Sequence, residues 1–279
     1  MRLIDLAAQR GPLIMGVVNV TPDSFSDGGR FLAIAPALDH ARQLIAAGAD
    51  VLDIGGESTR PGAQPVETGE EIDRVAPLIR AIREDWDGPI SIDTLKPEVA
   101  EAAFAAGASV WNDVTALGYD SKSLETAARL GGDVVLMHMQ GEPRTMQAHP
   151  HYEDVVGEVE AFLLDRAKVA VAAGIDRERI WLDPGIGFGK TLDHNLDLIR
   201  ATARLAGHGF PILMAASRKR FIAALEEREG APASDPDHRL GATLAVHLHA
   251  LQSGARMVRV HDVAEMKQAL RLWRAISPD

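Results

Sequence analysis

The sequence predicts a single (β/α)8 barrel of the TIM type, one domain over residues 1–279. Three observations predict it. A helical pattern, a glycine and a short β-rich run recur as one phrase along the chain. Eight such runs occur, and eight βα units in a chain of this length fit a barrel. No shift in composition and no linker divides the chain. A doubly wound open sheet is the runner-up architecture.

The phrase is plain in ALDHARQLIAAGAD before VLDIGGES, PEVAEAAFAAGA before SVWNDV, RAKVAVAAGIDRER before IWLDPG, and HLHALQSGA before RMVRVHD. In each, the glycine can end the helix in the left-handed conformation. The eight runs are LIMGVVN (13–19), VLDIGG (51–56), PISID (89–93), SVWNDV (109–114), DVVLMHM (133–139), IWLDPG (180–185), PILMAAS (211–217) and RMVRVHD (256–262). They are continuously apolar rather than alternating, as expected of strands covered on both faces. A last helical pattern, VAEMKQALRLWRAI, follows the eighth run, and EEREGAPASDPDHR (226–239) reads as an exposed loop inside the seventh unit.

Composition narrows the function. The chain carries 29 basic and 40 acidic residues, a net charge of −11, which argues against nucleic-acid binding. It has no cysteine, hence no disulfide, thiolate metal site or cysteine nucleophile. No apolar run approaches the roughly 18 residues that span a bilayer. The N-terminus MRLIDLAAQRGP lacks the apolar core of a secretion signal. A cytoplasmic protein without membrane contact is the expectation.

All eight runs end in polar residues: Asn19, Asp53 with Glu57, Asp93, Asn112 with Asp113, His138, Asp183, Ser217 with Arg218 and Lys219, and Arg259 with His261 and Asp262. One such residue is ordinarily a cap or a loop hydrogen bond. A whole ring of them at the catalytic end of a barrel favours a site. STRPGA (58–63), SRKR (217–220) and RVH (259–261) place Arg60, Arg218, Lys219, Arg259 and His261 around one rim, a candidate anion site in an acidic protein. Ser217 and Arg218 could also open a helix, whose first amides favour an anion.

DPGIGFGK (183–190) holds a Gly-x-Gly-x-Gly but not the full dinucleotide spacing, so a NAD reading is weak. A turn that brings backbone and Phe188 against a flat ligand fits better. Asp93, Asn112 and Asp183, from three strands, suit a heterocycle with a guanidine-like edge. Taken as metal ligands, the carboxylates of Asp93 and Asp183 would hold a hard cation instead. Their apolar neighbours Ile92, Leu182 and Phe188 disfavour that reading.

NVTPDSFSDGG, DIGGESTRPGA, SIDT, WNDV, LMHMQGEPRTMQ, DPGIGFGKTLDHNL, SRK and RVHDV occur in this order between residues 13 and 262. The ordered set resembles the dihydropteroate synthase family of folate biosynthesis. The resemblance implies a barrel, usually a homodimer. It also implies condensation of 6-hydroxymethyl-7,8-dihydropterin diphosphate with 4-aminobenzoate, giving 7,8-dihydropteroate and diphosphate. By matching positions it implies a pterin-binding set of Asp93, Asn112, Met137, Asp183, Phe188, Lys219 and Arg259. Of these, Asp93, Asp183 and Lys219 would act in catalysis. Asn19, Thr59, Arg60, Arg259 and His261 would meet the diphosphate, with Asn19 as the Mg²⁺ ligand. Phe25, Thr59, Pro61, Ser217 and Lys219 would build the 4-aminobenzoate pocket.

The chain departs from the family pattern around SRK. Ala215 and Ala216 precede it where a glycine is common, and Arg220 follows where a serine is usual. The departures bear on the second substrate. They leave room for a pterin-binding paralogue that makes no product. A pterin-dependent methyltransferase would need neither NVTPDSF nor STRPGA.

Overall fold

The computed structural model describes residues 2–20, 34–58, 64–141 and 145–276. Eight strands lie where the eight apolar runs predict them: β1 (Leu13–Asn19), β2 (Val51–Gly55), β3 (Ile90–Asp93), β4 (Val110–Asp113), β5 (Asp133–Met137), β6 (Ile180–Asp183), β7 (Leu213–Met214) and β8 (Met257–Val260). Around them run α1 (Leu3–Arg10), α2 (Ile34–Ala47), α3 (Thr68–Asp85), α4 (Pro97–Ala106), α5 (Ser123–Leu130), α6 (Val155–Ala172), α7 (Leu192–Arg200), α8 (Thr202–Ala206), α9 (Phe221–Arg228), α10 (Leu240–Gln252) and α11 (Val263–Ile276).

All neighbouring strands pair in parallel, in the order β6-β5-β4-β3-β2-β1-β8-β7. A parallel bridge between Leu182 and Ile212 joins the two edges and closes the ring. The open-sheet alternative falls on that bridge. The four helix-ending glycines, Gly48, Gly107, Gly174 and Gly254, all have φ between 98° and 117°. No helix among the described residues is long and apolar enough to cross a membrane.

Side chains alternate across each strand, and this sorts the apolar residues into two clusters. Ile14, Leu52, Ile92, Trp111, Leu182 and Val258 point outward and pack under the helices. Leu13, Met15, Val51, Val110, Val135, Trp181, Leu213 and Met257 point inward and fill the barrel. The N-terminal helix α1 adds Leu3, Leu6 and Ala7 to this inner cluster, so it plugs the barrel floor. Each fully buried Leu or Ile of these layers contributes about 1.5–3 kcal/mol.

The same alternation decides which polar strand ends face the interior. Two residues beyond Val51 comes Asp53; beyond Val110, Asn112; beyond Val135, Met137; beyond Trp181, Asp183; beyond Met257, Arg259. Asp93 pairs in register with Asn112 and Gly55 and joins them. The inner wall thus changes from apolar at the floor to charged at the C-terminal end of the strands.

Candidate active site

Arg259 stands at the centre of the charged layer. Its Nε donates to Asp53 Oδ2 at 2.6 Å and its Nη2 to Asp93 Oδ2 at 2.9 Å. Asn112 Nδ2 donates to the same Asp53 oxygen at 3.2 Å. Asp53 is completely buried. Burial opposes the charge on Arg259, but the two carboxylates outweigh it and hold the guanidinium firmly cationic. Burial, then the nearby Asp53, pushes the Asp93 carboxyl above the usual carboxylate range, with Arg259 pulling the other way. The second oxygens, Asp53 Oδ1 and Asp93 Oδ1, are buried and have no hydrogen-bond partner among the described residues. Such oxygens are costly to leave unmet, and a donor-rich ligand edge would meet them.

Asp183 and Lys219 face each other across the wall. Asp183 Oδ1 accepts from the Gly185 amide at 2.7 Å. Lys219 Nζ donates to the Ile186 carbonyl and sits 4.4 Å from the centre of the Phe188 ring. Burial pushes the Asp183 carboxyl up, opposed first by Lys219. Burial pushes the Lys219 amine down to about 8, opposed by Asp183. Phe188 and Lys219 stay partly open to solvent, while Asp183 is buried.

The Gly-x-Gly-x-Gly segment has a packing reason. Gly185 and Gly189 adopt φ of 70° and 64°. A Cβ on Gly185 would lie 1.9 Å from the His138 carbonyl oxygen, and one on Gly189 would lie 2.4 Å from that of Gln140. The turn is therefore pressed against the chain leaving β5, and this aims Phe188 at the mouth. Lys190 fastens the same turn. It is buried, and its Nζ lies 2.9 Å from His138 Nδ1, 3.3 Å from the His138 carbonyl and 3.0 Å from the Phe188 carbonyl.

Ser217 Oγ and His261 Nδ1 are 2.9 Å apart, and the His261 amide donates to Ser217 Oγ at 3.2 Å. Asn19 ends β1 with its side chain exposed, and its Oδ1 leans toward the side of Gly55 that carries no side chain. Among the described residues, no three His, Asp or Glu side chains gather as a metal cage. Phe25, Thr59, Arg60 and Pro61 lie outside the described residues.

Residues 15–261 match the family model described as pterin binding enzyme. The dihydropteroate synthase of Escherichia coli K12 is 44% identical, the match covering 95% of this chain and 91% of the relative. The chain belongs to the dihydropteroate synthase family. Family members of solved structure superpose on it closely. The Xanthomonas albilineans dihydropteroate synthase with 4-aminobenzoic acid gives a TM-score of 0.87 at 47% identity, covering 96% of this chain and 94% of that one. The same organism's enzyme in complex with 7,8-dihydropteroate gives 0.84 at 44%, covering 96% and 95%.

Within this family member the polar strand ends divide into two groups. Asp93, Asn112, Met137, Asp183, Phe188, Lys219 and Arg259 gather at the mouth, with Ser217 and His261 paired beside them. Asp113, one residue from Asn112, faces outward and caps its own loop through Thr115 and Leu117. Glu57 and Glu71 hold Lys96. Arg218 is engaged by Asp262 and Asp237 and is not a free rim cation.

The expected helix opening at Ser217 and Arg218 is corrected: α9 begins at Phe221, because Arg218 adopts φ of 59°, which no helix continues. Arg220 lies exposed, 3.6 Å from Glu227, so solvent screens the added charge. Two participants were not singled out from the sequence. Asp53 appeared there only as one strand-end polar residue among many, and Lys190 only as the tail of the glycine motif. Inward parity with Val51 is the signal that finds Asp53.

Proposed function

We propose that this chain condenses 6-hydroxymethyl-7,8-dihydropterin diphosphate with 4-aminobenzoate, giving 7,8-dihydropteroate and diphosphate. The observation that carries the reading is the buried acceptor wall, with the unpartnered oxygens of Asp53 and Asp93 beside Asn112 and opposite Asp183 and Lys219. A pterin edge rich in N–H donors suits the acceptors, and the Lys219 ammonium suits a ring nitrogen or oxygen. Met137 and Phe188 would line the ring faces. Arg259, His261 and Asn19 would lie toward the diphosphate, with Thr59 and Arg60. Phe25, Thr59, Pro61, Ser217 and Lys219 would receive 4-aminobenzoate.

The first step is dissociative. The bond between the exocyclic methylene carbon and the diphosphate oxygen breaks, and its electron pair leaves with diphosphate. The methylene cation conjugates with the ring, where the Asp93 and Asp183 carboxylates stabilise it in a low-dielectric wall. The arylamine lone pair then forms the C–N bond, and its proton passes to diphosphate or water.

Asn19 offers one hard oxygen beside an open glycine face. That fits Mg²⁺, which takes few protein ligands and completes its shell with substrate phosphates and water. When bound it would neutralise charge gathering on the leaving diphosphate. The chain would work in the cytoplasm.

The test is diphosphate release with Mg²⁺ and the pterin diphosphate, with and without 4-aminobenzoate. Release that requires 4-aminobenzoate is the expected result. Binding of the pterin diphosphate without release would assign a non-catalytic paralogue. Lys219 acts as the ammonium, whose pKa lies at about 8. The protonated form is lost as pH rises through that value, so kcat/KM falls above about pH 8. On the acid side, Asp93 and Asp183 take up protons at higher pH than free carboxylates do.

A homodimer is part of the proposal. On α11, Leu270 is buried against the core, whereas Leu272 and Ile276 are 64% and 71% exposed. Light scattering should return twice the chain mass. A monomer mass at micromolar concentration would remove the dimer from the reading.

A further inference from the structure

Arg239, the cap of α10, and Thr243 and His247 within it stand four residues apart and so share one stripe of the helix. A stripe turned to the core is ordinarily apolar. Here it is polar and buried, with Thr243 1% and His247 0% exposed.

Each of the three binds the backbone of a single turn. His247 Nε2 accepts from the Ala216 amide at 3.2 Å. Thr243 Oγ1 accepts from the Arg218 amide at 3.1 Å. Arg239 Nη1 donates to the Arg218 carbonyl at 2.9 Å. The turn they grip is the one that puts a non-glycine residue, Arg218, at φ 59°, a conformation that side chains with a Cβ rarely adopt. Ser217 precedes that residue and Lys219 follows it.

We propose that the Arg239–Thr243–His247 stripe is a positioning device for the reaction, holding the strained turn so that Ser217 meets His261 and Lys219 reaches the Ile186 carbonyl and the Phe188 ring. The proposal rests on the synthase reading for what Ser217 and Lys219 do. The hydrogen bonds set the protonation of one member. An imidazolium has no lone pair to accept from the Ala216 amide, so His247 works neutral. Burial, then the charges of Lys219 and His261, supports this by pushing its pKa down to about 3.

The variant Thr243→Val keeps the branched shape and deletes the acceptor, while Thr243→Ser keeps the hydroxyl. The readout is the titration of Lys219, followed by NMR on lysine-labelled protein and by the alkaline limb of kcat/KM. Lys219 is faced by Asp183 from β6, Asp93 from β3, Arg259 from β8, Lys190 after β6 and His247 on α10, and Thr243→Val changes none of them.

A released turn lets water reach the amine. Its titration should move up from about 8 toward the ordinary lysine range in Thr243→Val, with kcat/KM falling about tenfold. Thr243→Ser should match the wild type in both. An unmoved titration in Thr243→Val, or an equal shift in Thr243→Ser, overturns the proposal. If Thr243→Val does not fold, the comparison of His247→Gln, which can still accept, with His247→Leu decides on the same readout. Wild-type protein that releases no diphosphate overturns the synthase reading instead, because the NMR titration is read without turnover.

Discussion

Asp183→Asn should lower kcat/KM for diphosphate release by about 10²–10³, with little change in thermal stability. The asparagine side-chain oxygen can still accept from the Gly185 amide, as Asp183 Oδ1 does at 2.7 Å, so the turn before Phe188 keeps its anchor. What disappears is one negative charge in a buried wall. In the proposed dissociative step, that charge would face a ring growing electron-poor, and water could not substitute for it there. The neighbour reports the loss independently. Asp183 is the main influence holding the Lys219 pKa up against burial. Without it the pKa drops further, and the alkaline limb moves below about 8. A steady-state pH profile of the variant checks both effects. A loss under tenfold would remove Asp183 from the stabilisation of the cation.

Arg259→Met should cost about 3 kcal/mol of folding stability, as well as activity. The methionine fills much of the guanidinium's space, but Asp53 and Asp93 lose their shared cation. Asp53 is fully buried and, among the described residues, keeps only the Asn112 amide as a partner. Arg259 is itself 18% exposed, which places the cost at the low end of the range for a broken buried pair.

The deficit should depend on pH in a defined direction. With that guanidinium gone, the Asp93 carboxyl, already pushed above the unfolded value near 3.9, rises further. The folded variant then binds protons more tightly than its unfolded chain. Stability relative to wild type recovers as pH falls through the variant's raised pKa, and no further gain comes below about 7, where Asp93 is protonated in both folded proteins. Denaturant unfolding at pH 8 and pH 5 measures it. A deficit that is equal at both, or larger at pH 5, would mean that the two carboxylates are not what Arg259 holds.

The barrel was legible because its signals are local. Each strand is a short apolar run after a helix-ending glycine, and all eight runs became strands within a few residues of their expected bounds. Asp93, Asn112 and Asp183 were legible for a similar reason, since each closes its run in a recognisable motif. Asp53 was harder. VLDIGG puts it mid-strand, and only its inward parity with Val51 shows that it belongs to the site.

Helix α1 was not anticipated as the barrel floor. LIDLAAQR reads as any short amphipathic helix, and nothing local says that its apolar side meets Leu13 and Met257. The helix expected at Ser217 failed because SRKR carries no glycine to warn of a left-handed residue. Arg218 holds that conformation through partners more than twenty residues away, Thr243 and Arg239.

The ring of strands is mechanically uneven. Among the described residues, the junctions from β6 round to β1 and β8 are ladders of three to five paired residues. β7 meets β8 through two pairs and β6 through one bridge. A hoop with one weak joint behaves as a split ring: when its contents swell or shrink, nearly all the give is taken up at the gap. Here the gap runs between the strand that ends in Asp183 and the strand that leads to Lys219. The junction expected to give first therefore lies between the carboxylate and the amine that face each other, so that spacing would adjust before the rest of the mouth does.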